Sequence, residues 1–163
     1  MQLIKNTISS IKQIDDAGLL YEINYTADYK LDEVIKAGTY PDEAGYKSIQ
    51  DTLLGNSEFD LPKDQSVGGC SSFSTTAANG HPILARNYDW YKTNSASLVV
   101  HTAPKDGYKS ISVSDPAFYG LERGGELTDE IKEGFLYAPF CALEGVNEKG
   151  LSAGLMMLNI NPV

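Results

Sequence analysis

The order of apolar and polar positions predicts both a strand and helices in the N-terminal third of the chain. Residues 17–25 (AGLLYEINY) are rich in β-branched and aromatic side chains and predict a strand. Leu31, Val34 and Ile35 then recur at helical spacing, and a Gly follows that can cap a helix. A second helix is predicted over residues 41–54, with Pro in its first turn and Gly after its end.

The pattern changes after this helix. The stretch GNSEFDLPKDQSVGG, which ends at Gly69, has little apolar periodicity and predicts an exposed connector within reach of a protease or of the protein itself. Beyond it, CSSFSTT and PILARNYDW predict two strands joined by a tight turn at Asn79 and Gly80. SASLVVHTA and KSISVS continue the strand pattern, and Thr128 is the predicted N-cap of a short helix near residues 127–135. FLYAPFCALEGV is an apolar, strand-like run, and CALEGV-NEKG-LSAGLMMLN predicts another hairpin. This order predicts a layered α+β protein.

Composition narrows the class of protein and its partners. The chain has 163 residues and 42% apolar residues, which is typical of one globular domain. With 22 acidic and 13 basic residues its net charge is −9, so binding to nucleic acid or to an anionic membrane surface is disfavoured. No apolar run has the length of a membrane span or the form of a signal peptide, so we expect a cytoplasmic protein. Composition leaves both a monomer and a homo-oligomer open.

The two cysteines, Cys70 and Cys141, are too few for a disulfide scaffold and lack zinc-site spacing, so neither a metal nor another cofactor is expected. Cys141 lies in an apolar run and is predicted to be a buried, inert thiol. Cys70 opens a predicted strand directly after the connector. A thiol becomes a nucleophile when a base removes its proton or a positive charge stabilises the thiolate. A papain-like pairing with His81 or His101 is the weaker alternative, because both positions are typical of surface or core histidines.

Cleavage of the bond between Gly69 and Cys70 would supply the missing base. An α-amino group ordinarily has a pKa of about 7.7–8.0 and a cysteine thiol one of about 8.5, so a single residue can carry a matched base and nucleophile. The predicted hairpin returns Arg86 and Asp89 alongside Cys70. Strand alternation places Arg86 with Tyr88 on one face and Asp89 on the other, so aiming both charged groups at Cys70 requires a bulge or a bend.

CSSFSTTAANGHPILARNYDW followed by GVNEKGLSAGL resembles the choloylglycine hydrolase family of N-terminal-nucleophile (Ntn) hydrolases, which includes bile salt hydrolases, penicillin V acylases and related acyltransferases. The resemblance covers residues 69–157. It implies a four-layer αββα sandwich, partly represented by this chain, and hydrolysis of a non-peptide linear amide through an acyl-thioester. It also implies a zymogen, in which residues 1–69 form a pro-segment and residues 70–163 the N-terminal part of the catalytic domain after autocleavage.

The resemblance assigns roles by position. It implies that Cys70 is the nucleophile, that Arg86 stabilises its thiolate and orients the substrate, and that Asp89 hydrogen-bonds the new α-amino group. The family's oxyanion-stabilising Asn falls on Met157, whose backbone N–H can donate to an oxyanion whatever its side chain is. Asn159, two residues later on the same strand face, is the alternative group for this role.

Other residues carry weaker expectations. Tyr88 and Trp90 either line an acyl pocket or only pack. Arg86 and Asp89 have a structural alternative as an ion pair at a strand end, and residues 147–150 are predicted to form only a turn.

The expected partners are a small acyl amide, such as an N-acyl amino acid or a conjugated bile acid, and the remainder of the catalytic domain or a second chain, because the family places a further Asn and Arg beyond this chain. The alternative function is an inactive precursor or fragment that works only by binding a complementary chain.

Overall fold

The structure, a computed structural model, describes residues 2–37, 69–89 and 96–156. Several predicted features lie outside these ranges: the helix over residues 41–54, the connector before Gly69, and the site candidates Trp90, Met157 and Asn159.

The described residues form short helices and eight strands. The α-helices are α1 (Gln2–Ser9), α2 (Leu31–Ala37) and α3 (Asp129–Gly134), and two 3-10 helices span Pro116–Tyr119 and Phe135–Phe140. The strands are β1 (Lys12–Gln13), β2 (Leu20–Tyr25), β3 (Gly69–Thr76), β4 (Pro82–Asp89), β5 (Ser97–Thr102), β6 (Ser110–Ser114), β7 (Glu144–Asn147) and β8 (Ser152–Gly154). The longest helix in the described ranges has 8 residues, well below the roughly 20 apolar residues of a membrane-spanning helix.

Six strands form one sheet, in the order β1-β2-β5-β6-β7-β8. Strands β2 and β5 are parallel, and the other neighbouring pairs are antiparallel. Strands β3 and β4 form a separate two-stranded hairpin. The protein is therefore a mixed α+β structure with a mostly sheet core and few helices, which confirms the predicted class at this level.

The core lies on one face of the six-stranded sheet. Tyr21 and Ile23 of β2 pair with Leu98 and Val100 of β5, and all four side chains are almost fully buried. The 3-10 helix Phe135–Phe140 packs against them. Because strand side chains alternate between faces, the intervening residues lie on the opposite side of the sheet, here called the second face. The N-terminal residues thus build the same core as the C-terminal strands.

Helix α1, which was not predicted from the sequence, packs against the C-terminal end of β2, beyond the residues that pair with β1. The Thr7 hydroxyl accepts hydrogen bonds from the backbone N–H groups of Thr26 and Ala27, each at 3.0 Å. The Ser10 hydroxyl accepts from the N–H of Asn24 at 2.9 Å. An unpaired strand edge invites pairing with another chain, and these side chains block it.

The predicted turn between β3 and β4 and the predicted N-cap of α3 are both confirmed. The turn between β3 and β4 has Gly80 at φ +84°, the left-handed conformation that Gly adopts without strain, and the Asn79 side chain accepts from the N–H of His81. Thr128 caps α3 by accepting from the N–H of Ile131 at 3.3 Å.

The prediction of a strand through FLYAPFCALEGV is wrong over its first nine residues, 135–143. Phe135–Phe140 forms a 3-10 helix, and strand β7 begins only at Glu144. Four consecutive residues from Phe135 are buried, and a short continuous apolar run does not distinguish a strand from a buried helix. Pro139 also lacks the N–H that a central strand requires.

We predict that Ile23→Ala lowers the free energy of unfolding by about 2–5 kcal/mol, because Ile23 is fully buried between β2 and the helical layer. Ile111→Ala in β6 of the same sheet is the matched control. Ile111 is 47% exposed, so its loss should cost below about 1 kcal/mol. Urea denaturation followed by circular dichroism measures both. Equal losses would show that β2 is not part of the core.

Candidate functional site

Regular pairing of β3 with β4 brings Cys70, Arg86 and Tyr88 together. Cys70 lies directly opposite Tyr88, and Ser72 lies opposite Arg86, in an unbroken register from Gly69 to Thr76. The Cys70, Arg86 and Tyr88 side chains therefore share one face. The Nη2 atom of Arg86 lies 3.3 Å from the Cys70 Sγ. Arg86 thus reaches the thiol without a bulge.

Asp89 lies on the opposite face, as the predicted alternation requires. It pairs with Gly69, and its Oδ2 is 4.0 Å from the position that a Gly69 Cβ would occupy. Its Oδ1 accepts a hydrogen bond of 2.8 Å from the Asn87 side chain. The structure therefore places Asp89 beside the residue that precedes Cys70, and not beside the thiol.

The Arg86 side chain is only 3% exposed, although it carries a full charge. Its Nη2 also donates to the backbone oxygen of Leu155 at 2.5 Å, and its Nη1 lies 3.6 Å from the Glu144 Oε2. Its Nε is buried and has no hydrogen-bond partner among the described residues. Because a buried charge is costly unless it is paired, these contacts fix the guanidinium beside Cys70.

Packing on both sides completes the Arg86 environment. The guanidinium lies over the ring of Tyr88, with its Cζ 5.3 Å from the ring centroid, which is within the range of a cation–π contact. On the other side, a Cβ at Gly154 would approach the Arg86 Cδ to 3.2 Å. The absence of a side chain at Gly154 thus makes room for Arg86, which joins the β3–β4 hairpin to β8.

Tyr88 makes a second link between the hairpin and the large sheet. Its hydroxyl donates to the Asp115 Oδ2 at 3.4 Å, and the Asp115 Oδ1 accepts from the N–H of Ala117 at 2.9 Å, which caps the 3-10 helix that follows. Asp115 is 1% exposed. Burial and the nearby Asp115 carboxylate raise the pKa of the Tyr88 hydroxyl. Tyr88, predicted as a substrate contact, directs its hydroxyl to Asp115 and its ring to Arg86.

The other candidate groups have different surroundings. Cys141 is partly buried against the core, and burial raises the pKa of its thiol. His101 pairs with Glu22 at 2.9 Å on the second face of the sheet, and His81 is exposed beside the hairpin turn. Within the described ranges neither histidine has a hydrogen bond to Cys70. These ranges also contain no cluster of three or more potential metal ligands.

Three residues of this site were not found from the sequence: Asp115, Glu144 and Gly154. Asp115 carried a usable signal, because Asp before Pro is typical of a helix N-cap. Glu144 is a lone carboxylate between apolar residues in CALEGV, which indicates a partner but does not identify it. Gly154 gave no signal, since its role depends on a strand far away in sequence.

Comparison of the chain with models of protein families, with curated proteins and with solved structures finds no match.

We predict that Tyr88→Phe lowers the free energy of unfolding by about 1 kcal/mol, because it leaves a buried Asp115 oxygen without one of its donors. Tyr108→Phe is the matched control, since Tyr108 is 57% exposed and its change should be close to zero. Urea denaturation of the two variants measures the change in the free energy of unfolding. A Tyr88→Phe protein as stable as the control would show that the Tyr88 hydroxyl does not anchor the hairpin.

Proposed function

We propose that Cys70 is the nucleophile of a cysteine Ntn hydrolase that cleaves a non-peptide linear amide. The observation that carries this proposal is the buried guanidinium of Arg86, whose Nη2 is 3.3 Å from the Cys70 Sγ. A fixed positive charge at this distance attracts the negative charge that a sulfur nucleophile carries when it attacks. The motif resemblance of residues 69–157 gives the same nucleophile and the same cationic partner.

Activation is proposed to begin in the uncut chain. The Cys70 Sγ adds to the Gly69 carbonyl carbon, its proton passes to the Cys70 nitrogen, and the C–N bond breaks to leave a thioester. Water then cleaves the thioester and yields a Gly69 carboxylate, a free Cys70 thiol and a free α-amino group. Gly69 is exposed at the start of β3, so water can reach the bond.

The proposed turnover uses the new amine as base. It takes the thiol proton as Sγ attacks the substrate carbonyl, and it returns a proton to the departing amine as the C–N bond breaks. Water then hydrolyses the acyl-thioester to a carboxylic acid and the free thiol. The balance is one amide and one water giving one acid and one amine. N-acyl amino acids and conjugated bile acids are the proposed substrate classes.

Asp89 is well placed for its proposed role. Its carboxylate lies beside Gly69, so it would be close to the α-amino group that cleavage creates at the next residue. Hydrogen bonding to the protonated amine would hold this group near the thiol. Asn159, or the backbone N–H of Met157, is proposed to stabilise the oxyanion, and Trp90 with Tyr88 to border the acyl group.

The arrangement of layers supports the proposed αββα sandwich. Helical segments pack on one face of the six-stranded sheet, while Arg86 holds the hairpin at Glu144 on its second face. The remainder of the catalytic domain, or a second chain, is proposed to extend the hairpin. Large apolar side chains of the hairpin and of the β7–β8 region are exposed, which also favours the alternative of a fragment that binds a complementary chain. They are Phe73, Ile83, Leu84, Val146, Leu151, Leu155 and Met156.

The mass of the purified full chain tests the proposed activation. We expect the Gly69–Cys70 bond to break on incubation and to give a species that begins at Cys70. Cys70→Ala should remain uncut, because the attacking sulfur is missing, whereas Cys141→Ala should cut normally. Cleavage of the Cys70→Ala protein at the same rate would show that another protease acts on the bond.

We predict that the two pieces stay together after this cleavage. The proposed pro-segment contributes β2, whose Tyr21 and Ile23 side chains are 1% and 0% exposed in the core. Removing them would expose a large apolar surface. Size-exclusion chromatography followed by denaturing electrophoresis should find both pieces in one peak. Elution of residues 70–163 alone would contradict this prediction.

A further inference from the structure

Glu144 occupies the point where the hairpin meets the large sheet. It begins β7 and pairs with Val113 and Gly154, which puts its side chain on the second face. Its carboxylate is 32% exposed, and its Oε2 lies 3.6 Å from the Nη1 of Arg86. The Arg86 guanidinium therefore has the Cys70 thiol on one nitrogen and a carboxylate on the other.

One positive charge thus faces two groups that are able to carry a negative charge. A carboxylate that pairs with Arg86 offsets part of the field that would otherwise stabilise a thiolate at Cys70. It also supplies the buried guanidinium with a nearby opposite charge, which a charge in the protein interior needs. The same side chain therefore holds Arg86 and limits its effect on the sulfur.

Arg86 has anchors that do not depend on the charge of Glu144. Its Nη2 donates to the Leu155 carbonyl at 2.5 Å, its guanidinium lies over Tyr88, and Gly154 leaves space for its side chain. A glutamine at position 144 would have nearly the same shape and still offer an oxygen to Nη1. Such a change removes the negative charge and leaves the position of Arg86 intact.

We propose that Glu144 is a positioning residue that keeps Arg86 against Cys70 and sets how much of the guanidinium charge the sulfur experiences. This inference rests on the proposed nucleophilic role of Cys70. Glu144 acts only through Arg86 and touches no reacting atom.

The rate of alkylation by iodoacetamide measures the effect without any substrate. The Cys70 thiolate displaces iodide and forms a thioether, so the rate follows the thiolate population. Peptide mass mapping separates Cys70 from Cys141 and the uncut peptide from the cut one, so variants are compared in the same form. We expect Glu144→Gln to raise the Cys70 rate at neutral pH by roughly threefold to tenfold, and to move the pH profile of alkylation to lower pH.

Two further variants separate the effect of the Glu144 charge from the effect of its contact with Arg86. Glu148→Gln is the matched control, because it removes the same charge from the neighbouring turn, where the Glu148 Oε1 accepts from the Lys109 N–H. Its Cys70 rate should stay at the wild-type value. Glu144→Leu removes the polar group as well as the charge, so Arg86 loses support and the rate should fall below that of Glu144→Gln. Equal acceleration by Glu148→Gln, or no acceleration by Glu144→Gln, would overturn the role of Glu144.

Arg86→Gln separates the proposed role of Glu144 from the proposed role of Cys70 as nucleophile. It should slow the alkylation of Cys70, and in its presence Glu144→Gln should lose most of its accelerating effect. If Arg86→Gln slows Cys70 while Glu144→Gln alone has no effect, the inference about Glu144 fails and the proposed nucleophile stands. If Arg86→Gln leaves the Cys70 rate unchanged, the proposed function fails and this inference fails with it.

Discussion

The buried charge of Arg86 is the constraint on which the rest of the site depends. A guanidinium that is 3% exposed must be paired, and the groups that pair it come from strands distant in sequence: Cys70 in β3, Glu144 in β7 and the carbonyl of Leu155 after β8. Satisfying Arg86 therefore docks the β3–β4 hairpin onto the larger sheet. The same contacts place a fixed positive charge beside the Cys70 thiol.

The N-terminal segment is part of the core of the protein. Strand β2 lies inside the six-stranded sheet between β1 and its parallel neighbour β5, and helix α1 packs against its C-terminal end. Breaking the chain before Cys70 would change its covalent connectivity but leave the hydrophobic contacts of β2 in place. The proposed activation is therefore best understood as the creation of a new amine within an already assembled core, with a pro-segment that remains as a structural part.

Much of the secondary structure could be predicted because its signals are local. Strand alternation and the Asn79-Gly80 turn fixed the β3–β4 hairpin and its faces, and Thr128 marked the start of α3. The 3-10 helix at Phe135–Phe140 could not be predicted, because a continuous apolar run has no period that separates helix from strand. Helix α1 depends on tertiary contacts of Thr7 and Ser10 with β2, which the local pattern does not reveal.

The site was predicted only in part, for the same reason. The neighbours Cys70 and Arg86 follow from hairpin register, which local residues determine. Glu144, Asp115 and Gly154 join the site through the docking of the hairpin on the sheet, and no spacing in the sequence encodes that docking. Asp89 shows the value of alternation, since the strand pattern alone indicated that Arg86 and Asp89 could not both face the thiol in a regular strand.

Trapping an acyl-thioester is the most direct test of whether Cys70 is the nucleophile. The cut protein would be mixed with a p-nitrophenyl acyl ester, quenched in acid and analysed by peptide mass mapping, with the Cys70→Ala protein in parallel. We expect the mass of one acyl group on the peptide that begins at Cys70, and we expect hydroxylamine to remove it. An adduct that forms only on Cys141, or none at all in a correctly cut protein, would contradict the assignment of Cys70 as the nucleophile.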